Sequence, residues 1–240
     1  MKTEELLLQG ASALGVLLSD DQAKGLTLYQ SELTKWMRRI NLVAKESSQE
    51  EIVERHFLDS LALVPLLPKG KLQNTIRLLD VGSGAGFPGL VLALVLPQAN
   101  FYLLEPRQKR AIFLRHIVRM LKLKNVEVVC ERVETLYEKK GGTKRNFSHI
   151  TGRAVADAPS FLQMVEPLVG RETEVVLFLV QKKTLDQLPD DLKNHWQLQA
   201  SRSLILPFCQ EPRFLACMRK NDGISAGEAK NSSPALKGAH

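Results

Sequence analysis

A glycine-rich turn is the stretch of this sequence best suited to chemistry. It runs Asp80-Val81-Gly82-Ser83-Gly84-Ala85-Gly86-Phe87-Pro88-Gly89 and follows a short, mainly apolar run over residues 76–81, which predicts a buried strand. The four glycines let the backbone turn sharply and approach a bound molecule with no Cβ in the way. Pro88 suits the first turn of a helix. The stretch therefore predicts a strand, a turn and a helix N-terminus that together cradle a cofactor.

Two registers of this turn predict different cofactors. Counted from Asp80, an acid at the strand end precedes the glycines, and a carboxylate there suits S-adenosylmethionine, which is cationic and carries no phosphate. Counted from Gly84, the turn fits the Gly-x-Gly-x-x-Gly pattern of dinucleotide sites, with Glu105 near the spacing of a ribose carboxylate. That pattern places its first glycine directly after the strand, whereas two residues intervene here, so the methyl donor is favoured. A tight turn with no ligand is the remaining alternative.

Composition narrows the class of protein and of partner. The chain has 240 residues, of which 44% are hydrophobic, enough for one large domain or a domain with an extension. The net charge of +7 favours a polyanionic partner, with a basic but non-binding surface as the alternative. No signal peptide and no apolar run of roughly 18 residues occur, so neither secretion nor a membrane span is predicted.

The cysteines and histidines do not form a recognisable ligand pattern. The three cysteines lack Cys-x-x-Cys spacing and the five histidines are scattered. This usage predicts no metal site, and reduced, buried thiols in a cytoplasmic protein.

Helical patterns fill the first 70 residues. Apolar residues recur near a 3.6 period over 3–18, Ser19 or Asp20 can cap a second helix, and Ser48 with Glu51 forms a capping-box pattern opening a third. His56, in this third helix, is interpreted as a structural histidine. Residues 1–70 are therefore predicted to be an N-terminal helical extension.

Strand-like and helical runs alternate over the next part of the chain. The strand-like runs are 76–81, 100–105, 125–130, 146–151 and 173–180, followed by 196–206 and 213–219 with no helix between them. Such alternation predicts a parallel sheet with helices on both faces and a terminal antiparallel hairpin. This α/β layout resembles the Rossmann-like fold of class I S-adenosylmethionine-dependent methyltransferases, with a mainly parallel seven-stranded sheet. The predicted domain spans 71–220, and the polar tail over 221–240 is predicted to be disordered.

The ends of the predicted strands supply the remaining candidate contacts, because ligands of such sheets bind beyond the carboxyl ends of the strands. Glu105 can take the ribose hydroxyls or can form an ion pair with Arg107 or Lys109. Val133 and Glu134 can contact adenine or can be ordinary helix-start residues. Arg153 can contact the donor or substrate, or can form an ion pair. The helix after Glu105 carries basic residues that form either a phosphate-binding surface or a solvated face.

Several motifs in order resemble the small-subunit ribosomal RNA guanine-N7 methyltransferases, also called the glucose-inhibited division protein B family. They are Trp36 through Asn41-Leu42-Val43-Ala44, Arg55-His56-Phe57-Leu58-Asp59-Ser60-Leu61, the glycine turn from Leu79 to Gly89, Lys109-Arg110 with Phe113-Leu114, Arg132-Val133-Glu134, and Gly152-Arg153-Ala154. The resemblance covers about residues 20 to 219. Unlike the family, which commonly has Asn-Leu-Thr, the chain has Asn41-Leu42-Val43, so no hydroxyl-dependent role belongs to Val43.

The resemblance implies a bacterial cytoplasmic enzyme that methylates N7 of one guanosine in 16S ribosomal RNA with S-adenosylmethionine. Its substrate is the RNA or the 30S subunit, and we expect a monomer. The implied donor contacts are Gly82, Phe87, Val133, Glu134 and Arg153, to which the turn adds Asp80, Gly84 and Gly86 and the second strand adds Glu105. Arg153 is assigned as the catalytic residue, at the donor or acceptor face. Since N7 has a lone pair and no proton, catalysis is expected from positioning and electrostatics without a general base.

Overall fold

The N-terminal part of the molecule is helical. The computed structural model describes residues 2–43, 48–138 and 146–221, and its first helices are α1 (Thr3–Ala13) and α2 (Asp20–Met37). The predicted cap of α2 is confirmed, since the Gln22 N–H donates to Ser19 Oγ at 3.2 Å. The predicted extent of the first helix is wrong at its end. Helix α1 stops at Ala13 because Gly15 takes a left-handed conformation with φ of 76°.

The third predicted helix exists but contains a wider turn. It is divided into α3 (Gln49–Ile52), a π-helical segment (Val53–Leu58) and α4 (Asp59–Leu61). The predicted capping box is confirmed, because the Glu51 N–H donates to Ser48 Oγ and the Ser48 N–H donates to a Glu51 carboxylate oxygen. Short π-helical turns are frequent at functional sites, and this one carries His56.

In the part of the chain that the structure describes, seven strands form one sheet. They are β1 (Arg77–Val81), β2 (Asn100–Leu104), β3 (Val126–Val129), β4 (His149–Thr151), β5 (Glu174–Leu179), β6 (Trp196–Ile205) and β7 (Pro212–Lys220). Their order is β3-β2-β1-β4-β5-β7-β6. The first five strands run parallel, and β7 is antiparallel to both β5 and β6. The predicted parallel sheet with a terminal hairpin is therefore confirmed.

Helices cover both faces of this sheet, as predicted. Those after β1 are α5 (Gly89–Val95), α6 (Gln108–Met120), α7 (Val133–Glu138), α8 (Ala158–Val165), α9 (Lys183–Asp186) and α10 (Asp190–His195). Leu78 packs in one apolar cluster with the N-terminal helices, α5 and α6, whereas Leu79 packs in a second with α8 and α10. Neighbouring strand residues point to opposite faces, which explains why both faces carry a core.

The first of these clusters joins the N-terminal helices to the sheet in one continuous core. Leu7 of α1, Leu26 of α2 and Phe57 of the π-helical segment pack in it with Phe101 of β2. The division of the chain at residue 70 stays a prediction. The polar tail predicted over 221–240 lies outside the described residues except for Asn221.

The three cysteines are free thiols in the structure. Cys217 is buried within β7 as predicted, and Cys130 is half-buried just after β3. The prediction of burial is wrong for Cys209, which is exposed because it lies in the turn between β6 and β7.

Candidate functional site

The strand order reverses at β1, which lies between β2 on one side and β4 on the other. The helices that follow β1 and β4 pack on opposite faces of the sheet, and the crevice between the two connections is where ligands of open α/β sheets bind. The glycine turn leaves β1 at this edge, and Gly152 and Arg153 leave β4 beside it. A Cβ built on Gly82 would lie 2.8 Å from Val155 Cγ2, so the two turns are in close contact.

Asp80 anchors the glycine turn to the start of α5. Its carboxylate is fully buried, and Oδ2 accepts the Gly89 N–H at 3.0 Å. The Ser83 hydroxyl donates to the Asp80 carbonyl at 2.8 Å. Oδ1 is buried with no hydrogen-bond partner among the described residues. Burial raises the pKa of Asp80 to about 7, although the Gly89 N–H and the positive charge of Arg153 oppose this rise.

Gly84 has free space beside its Cα atom. It has φ of 57°, and a Cβ built there would meet no heavy atom closer than 3.7 Å, so glycine is needed for the backbone conformation rather than for protein packing. Gly86 is different, because with φ of 97° its Cβ would lie 2.6 Å from the Tyr29 hydroxyl oxygen. That hydroxyl donates a short hydrogen bond to the Ala85 carbonyl, which fixes the turn against α2.

Glu105 follows β2 and holds the outer side of the same turn. It is 2% exposed; Oε2 accepts the Gly84 N–H at 2.9 Å and Oε1 accepts the Arg107 N–H at 2.8 Å. The Arg107 contact is with the backbone, so it is not the ion pair considered from the sequence. Each carboxylate oxygen has more than one acceptor site, which leaves capacity for a hydroxyl of a bound ribose. A buried acid bonded to the glycine turn fits the adenosyl part of S-adenosylmethionine.

Phe87 lies within an aromatic cluster above the turn. Its ring stacks on His56 at 5.0 Å and 18° and faces Tyr29 at 5.7 Å and 21°, while Phe57 meets it edge-on at 5.1 Å. The guanidinium of Arg153 lies 5.2 Å from the ring centre. Since Phe87 is only 5% exposed, most of the ring surface is used in packing the N-terminal helices against the turn.

Arg153 forms an ion pair, as one sequence interpretation held. Nη1 donates to Asp59 Oδ2 at 2.9 Å and to the Arg55 carbonyl at 2.9 Å, and Nη2 donates to His56 Nδ1 at 2.7 Å. The other oxygen of Asp59 accepts from Arg213 Nε at 3.0 Å. Asp59 therefore joins the turn after β4 to the start of β7.

Val133 and Glu134 occupy the start of α7, directly after β3. Val133 is buried and packs in the cluster that contains Leu104, whereas Glu134 is exposed. These positions suit an apolar wall and a polar edge for adenine. Glu105 and Asp80 are each hydrogen-bonded to the glycine turn, at Gly84 and Gly89 respectively. Val133 and Glu134 lie at the same edge because β3 is next to β2 in the sheet.

Asp59 and His56 are the site residues that the sequence did not single out. Asp59 was quoted only as part of a family motif, and His56 was interpreted as structural. Their partner Arg153 lies more than ninety residues away in the chain. Periodicity carries no information about such contacts. The available signal was the presence of two charged residues and a histidine within Arg55–Asp59.

A depression of about 1030 Å³ lies elsewhere on the molecule. It is lined by α6, β3, α7 and the segments that precede β4 and β5, including Arg115, Glu127 and Thr173. None of the predicted site residues is among its lining residues. Over residues 2–43, 48–138 and 146–221, no group of His, Cys, Asp and Glu side chains could hold a metal ion. Over the same ranges, no helix has the length and apolarity that a membrane span requires.

The fold is that of the class I S-adenosylmethionine-dependent methyltransferases. Solved structures share the fold, including a mutant of MtNAS in complex with S-adenosylmethionine (TM-score 0.52, 16% identity, 80% of this chain and 72% of that chain). A putative O-methyltransferase from Klebsiella pneumoniae gives a TM-score of 0.52 at 14% identity, over 80% of this chain and 90% of that one. The family model described as GidB, rRNA small subunit methyltransferase G, matches residues 22–216, and the chain belongs to this family.

Relatives of known name agree with this assignment. The ribosomal RNA small subunit methyltransferase G of Desulfotalea psychrophila is 47% identical over 160 residues, which are 67% of this chain and 70% of that protein. The protein of the same name from Ectopseudomonas mendocina is 36% identical over 219 residues, 90% of this chain and 96% of that protein. Membership of this family favours the methyl-donor register of the glycine turn over the dinucleotide register.

Proposed function

We propose that the protein transfers a methyl group from S-adenosylmethionine to N7 of one guanosine in 16S ribosomal RNA. The observation that carries the proposal is the glycine turn at the switch point, where Glu105 bonds Gly84 and Asp80 bonds Gly89. This edge suits an adenosyl cofactor, and the family supplies the RNA substrate. S-adenosylmethionine contributes the electrophilic methyl group.

The transfer needs alignment rather than proton movement. The N7 lone pair forms the new N–C bond while the S–C bond breaks, and the sulfur keeps that electron pair. The base becomes cationic and loses no proton, so no side chain has to act as a base. The chain accordingly contributes by holding donor and base in line and by shaping the charge around them.

The predicted contacts divide into roles that their geometry supports. Glu105 would take the ribose hydroxyls, and Gly82, Gly84 and Gly86 would let the backbone approach the donor. Val133 and Glu134 would bound adenine. Asp80 would face the cationic part of the donor.

Phe87 and Arg153 are proposed to border the transferred methyl group. Phe87 is held by its aromatic neighbours, and both Nη atoms of Arg153 are engaged within the chain. Arg153 stays the predicted catalytic residue. Its contacts with His56 and Phe87 support a role in orienting these two rings.

We further propose that the enzyme acts as a monomer in the bacterial cytoplasm and takes its guanosine from the small ribosomal subunit. The exposed basic residues that open α6 flank the crevice, which is where an RNA phosphate would approach. Light scattering during size-exclusion chromatography measures the oligomeric state. A peak with the mass of a dimer at the concentration used for the assay would contradict the proposed monomer.

Tritiated-methyl transfer tests the function directly. The purified protein is incubated with labelled donor and either intact small subunits or stripped 16S RNA from cells lacking the protein, and the nucleosides are then separated. We expect label only in N7-methylguanosine. Label in another nucleoside, or in ribosomal protein, would contradict the proposal, and the comparison of the two substrates identifies the form that the enzyme recognises.

A further inference from the structure

His56, on the π-helical segment, packs against the end of the glycine turn. Its ring stacks on Phe87, which follows Gly86 at the end of that turn. The ring is half-buried, so part of it remains accessible at the carboxyl edge of the sheet. It is therefore a heteroaromatic group beside the predicted donor site with a face already fixed by packing.

The proton on this ring is placed by its neighbour. Arg153 Nη2 lies 2.7 Å from His56 Nδ1. A guanidinium has only donors and no acceptor, so Nδ1 must accept this bond. The neutral imidazole therefore carries its single proton on Nε2.

The ring stays neutral at physiological pH. Burial, together with the nearby positive charges of Arg153 and Arg55, lowers the pKa of His56 to about 3. A neutral ring keeps the tautomer just described. It also adds no further positive charge next to a base that becomes cationic when it is methylated.

Among the described residues, the His56 Nε2–H group donates no hydrogen bond. The hydrogen bond of the His56 side chain is made through Nδ1, and Nε2 is not among the buried polar atoms that lack a partner. The group is thus an accessible donor of fixed orientation, held by Phe87 on its face and by Arg153 on its other nitrogen.

We propose that His56 determines specificity by donating its Nε2–H to O6 of the guanine whose N7 receives the methyl group. The inference rests on the proposed function and deepens it. Guanine presents N7 and O6 side by side as acceptors, whereas adenine presents N7 beside an amino donor. A fixed donor adjacent to the methyl-transfer line therefore accepts guanine and leaves adenine with two donors facing each other. The proton stays on His56 throughout.

A double-mutant cycle between protein and RNA tests this contact. The substrate is 16S RNA or its subunit carrying either guanine or 2-aminopurine at the methylated position, because 2-aminopurine keeps N7 and lacks O6. The variant is His56→Asn, whose amide oxygen can replace Nδ1 as the acceptor for Arg153 while nothing replaces Nε2–H. His195→Asn is the matched control, since His195 is exposed at the amino end of β6.

We expect wild type to prefer guanine over 2-aminopurine by about tenfold in kcat/KM, the value of one hydrogen bond to a neutral group. His56→Asn should lose about tenfold on guanine, show little further loss on 2-aminopurine, and keep its affinity for S-adenosylmethionine within about twofold. His195→Asn should behave as wild type. An unchanged preference for guanine in His56→Asn would overturn the contact.

Two further measurements distinguish a failure of the proposed function from a failure of the His56 contact. If wild type forms no N7-methylguanosine, the proposed function fails and not merely the role of His56. Nitrogen NMR of the labelled wild-type protein reports the tautomer without any variant, and a proton found on Nδ1 would overturn the proposal even if His56→Asn fails to fold.

Discussion

At the scale of single residues, the buried carboxyl of Asp80 changes its charge near neutral pH. Burial raises its pKa to about 7, and one of its oxygens has no partner among the described residues. Near neutral pH the unliganded site is therefore a mixture of protonated and ionised forms. A cation bound beside the carboxylate would favour the ionised form and expel the proton.

We therefore predict that binding of S-adenosylmethionine releases protons below pH 7 and tightens as the pH rises toward 8. Calorimetric titration at pH 6.5 in two buffers of different ionisation enthalpy measures the release. Asp80→Asn, which keeps an acceptor for the Gly89 N–H, should abolish the buffer dependence. Equal heats in both buffers for wild type would show that the donor does not interact with this carboxylate.

The raised pKa of Asp80 also makes the stability of the donor-free protein depend on pH. Because the folded pKa of Asp80 lies above the unfolded value, the folded state binds the proton more tightly. Its contribution to stability is therefore present at low pH and is lost as the pH rises through about 7. Asp80→Asn should remove this part of the pH dependence in denaturant unfolding of the donor-free protein.

Two glycines allow conformational strain to be separated from ligand binding. Gly84 in the turn has φ of 57°, Gly70 before β1 has φ of 59°, and neither would place a Cβ within 3.4 Å of another atom. We predict that Gly84→Ala and Gly70→Ala each cost roughly 1 kcal/mol of stability. Only Gly84→Ala should weaken S-adenosylmethionine binding, by about tenfold or more, equivalent to roughly 1.4 kcal/mol.

Calorimetry and urea unfolding of both variants provide the comparison. Similar losses of donor affinity in the two would mean that the turn acts through general stability. Normal donor binding by Gly84→Ala would remove the turn from the donor site.

At the scale of elements, the π-helical segment holds the β6–β7 turn. Glu54 is 3% exposed, and its Oε1 accepts the N–H groups of Phe208 and Cys209 at 3.0 and 3.4 Å. Arg55 pairs with Glu211 of the same turn at 2.7 Å. The two contacts connect successive residues of one helical turn to the end of the hairpin.

We predict that Glu54→Ala destabilises the protein by about 1–3 kcal/mol, because two N–H groups lose a buried acceptor. Glu54→Gln should cost less, since it keeps Oε1. Glu50→Ala, exposed one helical turn earlier, is the control and should stay within about 0.5 kcal/mol of wild type. Urea unfolding measures all three, and equal stability of Glu54→Ala and Glu50→Ala would contradict the role of the buried carboxylate.

The elements themselves were largely predictable, because their causes are local. Apolar runs bounded by glycine, proline or polar residues located the seven strands found among the described residues, and Ser19 and Ser48 located two helix starts. The early end of α1 was missed because Leu14 and Leu18 continue the apolar period past the left-handed Gly15. The cluster of His56, Asp59 and Arg153 was not predictable, since it forms only when the third helix folds over the turn after β4.

At the scale of the whole molecule, the N-terminal helices and the sheet share one core beside the glycine turn. The Tyr29 hydroxyl of α2 donates a hydrogen bond to the Ala85 carbonyl, and Phe57 packs on Phe87. The helices thus contribute directly to the shape of the crevice. A substrate bound across this crevice would contact both the N-terminal part and the sheet.

We expect the positive net charge of the chain to attract RNA to this crevice. Arg107 and Lys109 are exposed at the start of α6, next to Glu105 and the glycine turn. A side chain that neutralises an RNA phosphate releases a counterion, so its removal lowers the salt dependence of binding. Lys71 is exposed before β1, at the opposite edge of the sheet, and serves as a control.

We predict that Lys109→Ala and Arg107→Ala each weaken RNA binding and reduce the slope of log K against log salt by about 0.7–1. The affinity for S-adenosylmethionine should stay unchanged, because neither side chain is among the predicted donor contacts. Lys71→Ala should leave both the affinity and the slope as in wild type. Filter binding of 16S RNA over a series of salt concentrations measures these slopes. A wild-type slope in both α6 variants would place the RNA away from this edge, and a reduced slope in Lys71→Ala would show that the positive charge acts without a defined surface.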